Sequence, residues 1–451
     1  MDQSVESRTD RAAIAAGSRN WKFTFFTIWS GQAVSLLGSQ LVQFALIWWL
    51  TQTTGSATVL ATATLVGLLP QVLIGPVIGV LVDRWNRRWV MIVADTSTAL
   101  ATACLAFLFL TGDVQVWHIY LLLFVRAIGG IFHWTAMQAS TSLMVPQDNL
   151  SRVQGLNQIL YGAMNIGSAP FAALLLAVLP MQGILAIDIV TALLAVLPLL
   201  FISVPQPVRD ISETPGEKAS VGRELREGLR YVWAWPGLVM IMVMATLIIL
   251  LLRPATSLQP ILVTQHFGGA AFELAWMESA WGIGAVAGGL LLSAWGGFRR
   301  RVVTSLMALV VLGAGMTAIG FVPASAFWVA VGLMFLVGVT GPLIDGPLFA
   351  VVQTIVAPEM QGRVFTLMIS AAGAMSPLGL IVAGPLADTY GVQSWYVVGG
   401  IFTGLIGLIA FFVPAIVRIE DGRNVKNEAD SGQQAGQKPR LSPNPIESLG
   451  D

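Results

Sequence analysis

Gly79-Val80-Leu81-Val82-Asp83-Arg84-Trp85-Asn86-Arg87-Arg88-Trp89-Val90-Met91 sets four charged side chains, Asp83, Arg84, Arg87 and Arg88, between two long apolar runs. Residues 57–82 before it and 89–111 after it are each long enough to cross a hydrocarbon core of about 30 Å at about 1.5 Å per residue. The stretch between them is a short, strongly positive loop at a membrane face. Whatever fold surrounds it is a membrane fold.

Composition agrees with that reading. Of 451 residues, 55% are hydrophobic and only 11% charged, far from the balance of a water-soluble domain of this length. Formal net charge is zero, so no bulk basic character points to nucleic acid as a partner. The single cysteine, Cys104, lies inside an apolar run, which rules out a disulfide framework and assigns the residue to packing. The first twenty residues are polar and mixed in charge, and no short apolar segment with a small-residue cleavage site follows them, so the first span is expected to insert the chain itself.

Apolar runs fall at 22–50, 57–82, 89–111, 117–144, 152–178, 183–203, 237–264, 272–295, 302–322, 326–350, 363–387 and 394–416. They read as twelve helices, because lipid offers backbone groups no partner outside a helix or a closed barrel. A barrel is excluded: the runs are about twice as long as a membrane strand and do not alternate polar with apolar. Apart from Arg126 and Arg253, the 24 lysines and arginines lie in the two tails and the even-numbered connections, at Arg84 to Arg88, Arg152, Arg209 to Arg230, Arg299 to Arg301 and Arg363. By the positive-inside rule both termini are cytoplasmic, the membrane being of the bacterial inner or plasma type.

The chain divides into an N-terminal tail (1–21), a six-helix bundle (22–203), a cytoplasmic linker (204–236), a second six-helix bundle (237–417) and a polar tail (418–451) expected to be disordered. In the linker, Val221, Leu225, Leu229 and Val232 recur at helical spacing opposite the arginines. That is the pattern of an amphipathic helix lying on the inner membrane surface. The bundles repeat: Arg152-Val153 and Gly162-Ala163-Met164 recur 211 residues later as Arg363-Val364 and Gly373-Ala374-Met375 (152 to 363, 162 to 373). An offset of six spans preserves membrane orientation, so the repeats are parallel, around an axis normal to the membrane.

The spacing Gly79-x-x-x-Asp83-Arg84-x-x-Arg87-Arg88 resembles the signature between helices 2 and 3 of the major facilitator superfamily, with Asn86 where that family usually has glycine. With the repeat and the long central linker, the resemblance covers nearly the whole chain. It implies an all-α membrane fold of twelve helices in two six-helix repeats around a central cavity. Val356-Ala357-Pro358-Glu359-Met360-Gln361-Gly362-Arg363-Val364-Phe365 and Glu278-Ser279-Ala280-Trp281-Gly282-Ile283-Gly284 resemble the macrolide-efflux branch, which includes relatives of the enterobactin exporter.

Other functions lack their residues. No Gly-Lys pair for a phosphate-binding loop exists, since Lys22, Lys218, Lys426 and Lys438 follow Trp, Glu, Val and Gln. His118, His133 and His266 form no His-Glu-x-x-His, and no Gly-x-Ser-x-Gly occurs, so neither an enzyme nor a cofactor is expected. Ionisable residues inside a membrane are costly and are functional candidates by default. They are Asp95, Arg126, Asp188, Arg253, Glu278 and Asp345. The resemblance assigns Arg126, Arg253 and Asp345 to helices that line the cavity. Depth pairs Arg126 with Asp188 and Arg253 with Glu278, one acid–arginine pair in each half, with Glu278 the first candidate for carrying a proton. Asp95 reads as a partner for the loop arginines, and His133 shares a face with Arg126. Gly341-Pro342 and Gly346-Pro347 bracket Asp345 and read as a broken helix beside a transport site.

Two mechanical features are expected. Gly284 and Gly288 in span 8, with Ala163 and Gly167 in span 5, allow close approach, and the resemblance makes that the sliding contact between halves. Asp83 can cap the start of a neighbouring helix, which the resemblance makes span 11 near Gly362-Arg363, so that Gly79, Asp83, Arg84, Arg87 and Arg88 are expected to form a conformational latch. Gly162 to Pro170 is similar to the antiporter motif of span 5 without its Gly-Pro pair. The reading is a monomeric, proton-coupled exporter of bulky apolar compounds such as macrolides, its partners being the small-molecule substrate, protons and membrane lipid. A siderophore-type metabolite or a lysophospholipid is the alternative cargo.

Overall fold

The computed structural model describes residues 21–202, 204–206 and 221–420, leaving out the side chains of residues 76, 80, 83, 221–225 and 359. Both tails, of which the C-terminal one was expected to be disordered, fall almost wholly outside the described residues. Among the described residues, twelve helices are long and apolar enough to cross a membrane. They are α1 (Trp21–Thr54), α2 (Ala57–Arg84), α3 (Arg87–Thr111), α4 (Val116–Met144), α5 (Gln147–Val178) and α6 (Met181–Phe201) in the first half. The second half holds α7 (Pro236–Ser257), α8 (Ala271–Trp295), α9 (Arg301–Phe321), α10 (Phe327–Ile355), α11 (Pro358–Tyr390) and α12 (Val392–Ala410).

Packing follows the repeat. In the first half α1 and α3 pack on α6, and α2 and α3 pack on α4; in the second, α7 and α9 pack on α12, and α8 and α9 pack on α10. Within the halves α1 also packs on α5 and α7 on α11, while the main contacts between halves are α2 against α11 and α5 against α8. Each half thus lends its second and fifth helices to the other, and the cavity lies between them. We call the side carrying the α2–α3 loop the arginine face and the opposite side the far face.

Three sequence expectations change. Span 7 does not reach residue 264: α7 stops at Ser257, and the chain continues through a short turn and a π-helical segment, Leu262–His266. Pro254 and Pro260 lack the N–H groups that would extend the ladder. Span 10, by contrast, is not broken, since α10 runs through Pro342 and Pro347 as one helix. Cys104 does not pack inside; it is exposed on α3.

The linker helix forms over Val221–Trp233, and its described contacts are with protein. Val232 is buried in the core of the second half, Gly228 faces Leu367 and Arg363, and Glu227 Oε2 accepts from Arg363 Nη1 at 2.7 Å. Leu229 and Trp233 remain exposed beside the membrane. This helix is therefore seated on the start of α11, where the Asp83 latch was expected.

Candidate functional site

In the α2–α3 loop, Arg87 and Arg88 hold helix ends of their own half. Arg88 donates through Nε to the Leu199 carbonyl and through Nη2 to that of Leu200 at 2.6 Å, at the end of α6. Arg87, only 8% exposed, reaches the Ala139 carbonyl near the end of α4 at 2.8 Å. The last carbonyls of a helix have no internal partner and carry the negative end of its dipole, so guanidinium groups tie these ends together. Asn86, in the place of the family's glycine, caps α3 by accepting from the Arg88 backbone N–H at 3.1 Å. The side chain of Asp83 lies outside the described residues, and Gly79 and Gly362 have open space beside them.

The acid–arginine pair expected in the first half exists. Arg126 Nη1 stands 2.5 Å from Asp188 Oδ2, the two side chains being 9% and 2% exposed. Ser39 Oγ and Thr102 Oγ1 also donate to the Asp188 carboxylate, at 3.1 and 3.3 Å, and Arg126 Nη2 donates to the Ser39 carbonyl at 3.0 Å. Every member is held by a neighbour from α1, α3, α4 or α6, which suits a bracket better than a binding group. Asp95 does not meet the loop arginines; its Oδ1 stands 2.9 Å from His133 Nδ1, and its Oδ2 accepts from Gln32 Nε2 at 3.2 Å. His133 is thereby committed to α3, whatever face it shares with Arg126.

The second half differs. Arg253 and Glu278 line one cavity of about 350 Å³ between the halves, and among the described residues neither side chain has a hydrogen-bond or ion-pair partner. The expected pair is a pair in location only. Because α7 ends at Ser257, Arg253 lies about 6 Å from the far end of its helix and Glu278 about 10 Å from that of α8. Gln40, Gln43, Asn165 and Gln259 share this cavity, polar groups that the sequence reading passed over although amides in membrane helices are themselves uncommon. Asp345 is elsewhere: it lines a separate, apolar cavity of about 250 Å³ formed by α7, α9 and α10. A larger groove of about 560 Å³ between α3 and α4 is lined by exposed apolar side chains such as Trp89, Val93 and Leu121.

The halves meet across α5 and α8, but the expected glycines Gly167, Gly284 and Gly288 are not at the contact. Gly284 and Gly288 face the Phe335 and Val339 carbonyls of α10, inside their own half. Gly282 instead abuts Asn165 and Ile166 of α5, and Ser279 Oγ donates to the Ile166 carbonyl at 2.8 Å. Nothing lies within 4 Å of a Cβ placed on Gly167.

On the far face, Asp388 near the end of α11 sits on the start of α2. It accepts from the backbone N–H groups of Ala57 (2.6 Å) and Thr58 (3.0 Å) and from the hydroxyls of Ser56 (3.0 Å) and Thr58 (2.6 Å). Gln265 Nε2 adds a bond to the Gly55 carbonyl at 2.6 Å. An anion at a helix N-terminus satisfies free N–H groups and meets the positive end of the dipole.

A polar cavity between two interlocked helical bundles, tied across one face, belongs to the class of major facilitator transporters. Within that class the chain belongs to the family described as transmembrane secretion effector (MFS_3), whose profile matches residues 19–434. Macrolide efflux protein A of Streptococcus pyogenes is 35% identical over 400 residues, covering 89% of this chain and 97% of that protein. The multidrug efflux pump Tap of Mycolicibacterium fortuitum is 27% identical over 395 residues, covering 85% and 94%. Among solved structures, the nucleoside transporter NupG superposes with a TM-score of 0.68 at 13% identity, covering 86% of this chain and 98% of that one, and a D-xylose–proton symporter with 0.62 at 12%, covering 86% and 96%. These neighbours share the fold. The relatives and the family are transporters, not enzymes, and among the described residues no cluster of side chains could hold a metal ion.

Proposed function

We propose that the protein is a proton-coupled exporter that moves bulky, largely apolar compounds, of the macrolide type named for its relatives, by alternating access. The observation that carries this reading is the contrast between the two halves. The Arg126–Asp188 pair is fully engaged and buried. Arg253 and Glu278 face one cavity, and among the described residues neither side chain has a hydrogen-bond partner. A buried carboxyl exchanges its proton when the distance to a nearby cation changes, and a cavity that opens to either side in turn changes that distance. The positive-inside count supports a cytoplasmic arginine face, and in that orientation the far-face contacts at Asp388 and Gln265 would close the protein to the outside.

Inverted membrane vesicles test the proposal. With an imposed gradient, acid inside, vesicles carrying the protein should accumulate a macrolide, and a protonophore should abolish the accumulation. Uptake that persists when the gradient is collapsed contradicts proton coupling; no uptake under any gradient contradicts export.

A further inference from the structure

The cavity between the halves carries more hydrogen-bonding capacity than an apolar substrate uses. Gln40, Gln43 and Asn165 line it with no side-chain partner among the described residues. Gln259 lines it too, is 6% exposed, and its buried Nε2 has no hydrogen-bond partner. Each carboxamide brings two donors and an acceptor oxygen, and Arg253 and Glu278 add further unmade bonds. Polar groups removed from water are costly unless something satisfies them. Beside them, Phe44 and Trp281 supply aromatic surface.

A ring bearing several hydroxyls answers all of these features at once. Its hydroxyls donate and accept toward the amides, its C–H face packs on the indole, and the mixed charge of Arg253 and Glu278 favours a head group that is neutral overall or carries a single amine. Size narrows the ligand further. About 350 Å³ is at the small end for drug-sized ligands, so the cavity holds a ring or two rather than a large macrocycle. The rest of the molecule has a place alongside: an apolar groove of about 410 Å³ between α1 and α5, lined by Val34, Leu37, Met164 and Phe171, shares Ser168 with the cavity.

From this arrangement we infer that the central cavity is a site for the polyhydroxylated ring of a glycosylated amphiphile, whose apolar body lies in the α1–α5 groove. The inference rests on the export reading above and specifies its substrate as a glycoside.

The test uses the full chain in lipid nanodiscs, with binding followed by tryptophan fluorescence and thermal shift. The probes are octyl β-D-glucoside, 1-octanol as its sugar-free aglycone, and uridine. Wild-type protein should bind the glycoside at least roughly tenfold more tightly than the aglycone, since a site built to hydrogen-bond the ring's hydroxyls rejects a ligand without that ring. A Gln43→Leu, Gln259→Leu double variant should lose that preference by weakening the glycoside alone, its unchanged aglycone affinity showing that it is folded. Equal affinities in the wild type, or a variant that weakens both ligands alike, overturn the head-group assignment and leave export standing. Uridine bound in place of both the glycoside and its aglycone overturns the assignment and the export reading together.

Discussion

The carboxylate of Asp388 lies 2.6 Å from the backbone nitrogen of Ala57, so that the last turn of α11 caps the first turn of α2 across the boundary between halves. The sequence led us to expect the reverse arrangement at the other end of the same helix pair, with Asp83 of α2 capping α11. The far-face cap is the one the described residues contain; the side chain of Asp83 lies outside them.

Asp388→Asn keeps the shape of that cap but loses the charge and one acceptor oxygen. Asp388 is exposed, so solvent screening leaves the group worth about 1 kcal/mol, well below the value of a buried charged bond. That shifts a two-state equilibrium roughly fivefold. Spin labels on the far ends of α2 and α11 should show a larger population at long distance in the variant. An unchanged distance distribution would remove Asp388 as a clamp.

The Arg126–Asp188 bracket makes a prediction of another kind. Removing one partner leaves a buried charge alone, so Asp188→Leu should cost about 3–5 kcal/mol and lower the melting temperature sharply. The double variant Arg126→Met, Asp188→Leu should recover most of that loss. A double variant no more stable than the single one would show that the pair does more than hold helices.

Two glycines on α8 separate packing from movement. A Cβ on Gly284 would fall 2.1 Å from the Phe335 carbonyl oxygen, so Gly284→Val should lower yield and stability of the second half. On Gly282 the nearest atom is the Asn165 carbonyl oxygen at 3.0 Å, across the gap between halves. Gly282→Val should leave a folded protein with slower transport, read as normal thermal melting beside a reduced initial rate. Identical effects from both would deny the α5–α8 contact its mechanical role.

Topology is checked with single cysteines in a Cys104→Ser background, which the exposed position of Cys104 should tolerate. Thr54 and Ser325, in far-face connections, should react in whole cells with an impermeant thiol reagent, and Asn86 should not. Labelling at Asn86 alone would invert the assignment.

These residues also mark how far the sequence could be read. Apolar runs located all twelve spans because lipid forces the backbone into helices, and depth along the spans found Arg126 with Asp188. The same depth argument misplaced Arg253, because hydropathy continues past Ser257 while Pro254 and Pro260 end the helix. Four-residue glycine spacing announced that α8 approaches something closely, but spacing carries no information about which helix approaches. Asp388 was overlooked by a single position: the apolar run ends at 387, and α11 continues to Tyr390. Unpaired amides such as Gln43 were missed because hydropathy registers them only as weak interruptions.

The central claim is that Glu278, unpaired and facing the cavity with Arg253, carries the coupling proton. Glu278→Gln in proteoliposomes measures it directly. The account predicts that substrate binding and downhill exchange persist while uphill export driven by a pH gradient is abolished. Full uphill export by the variant, with the pH dependence of the wild type, would contradict it.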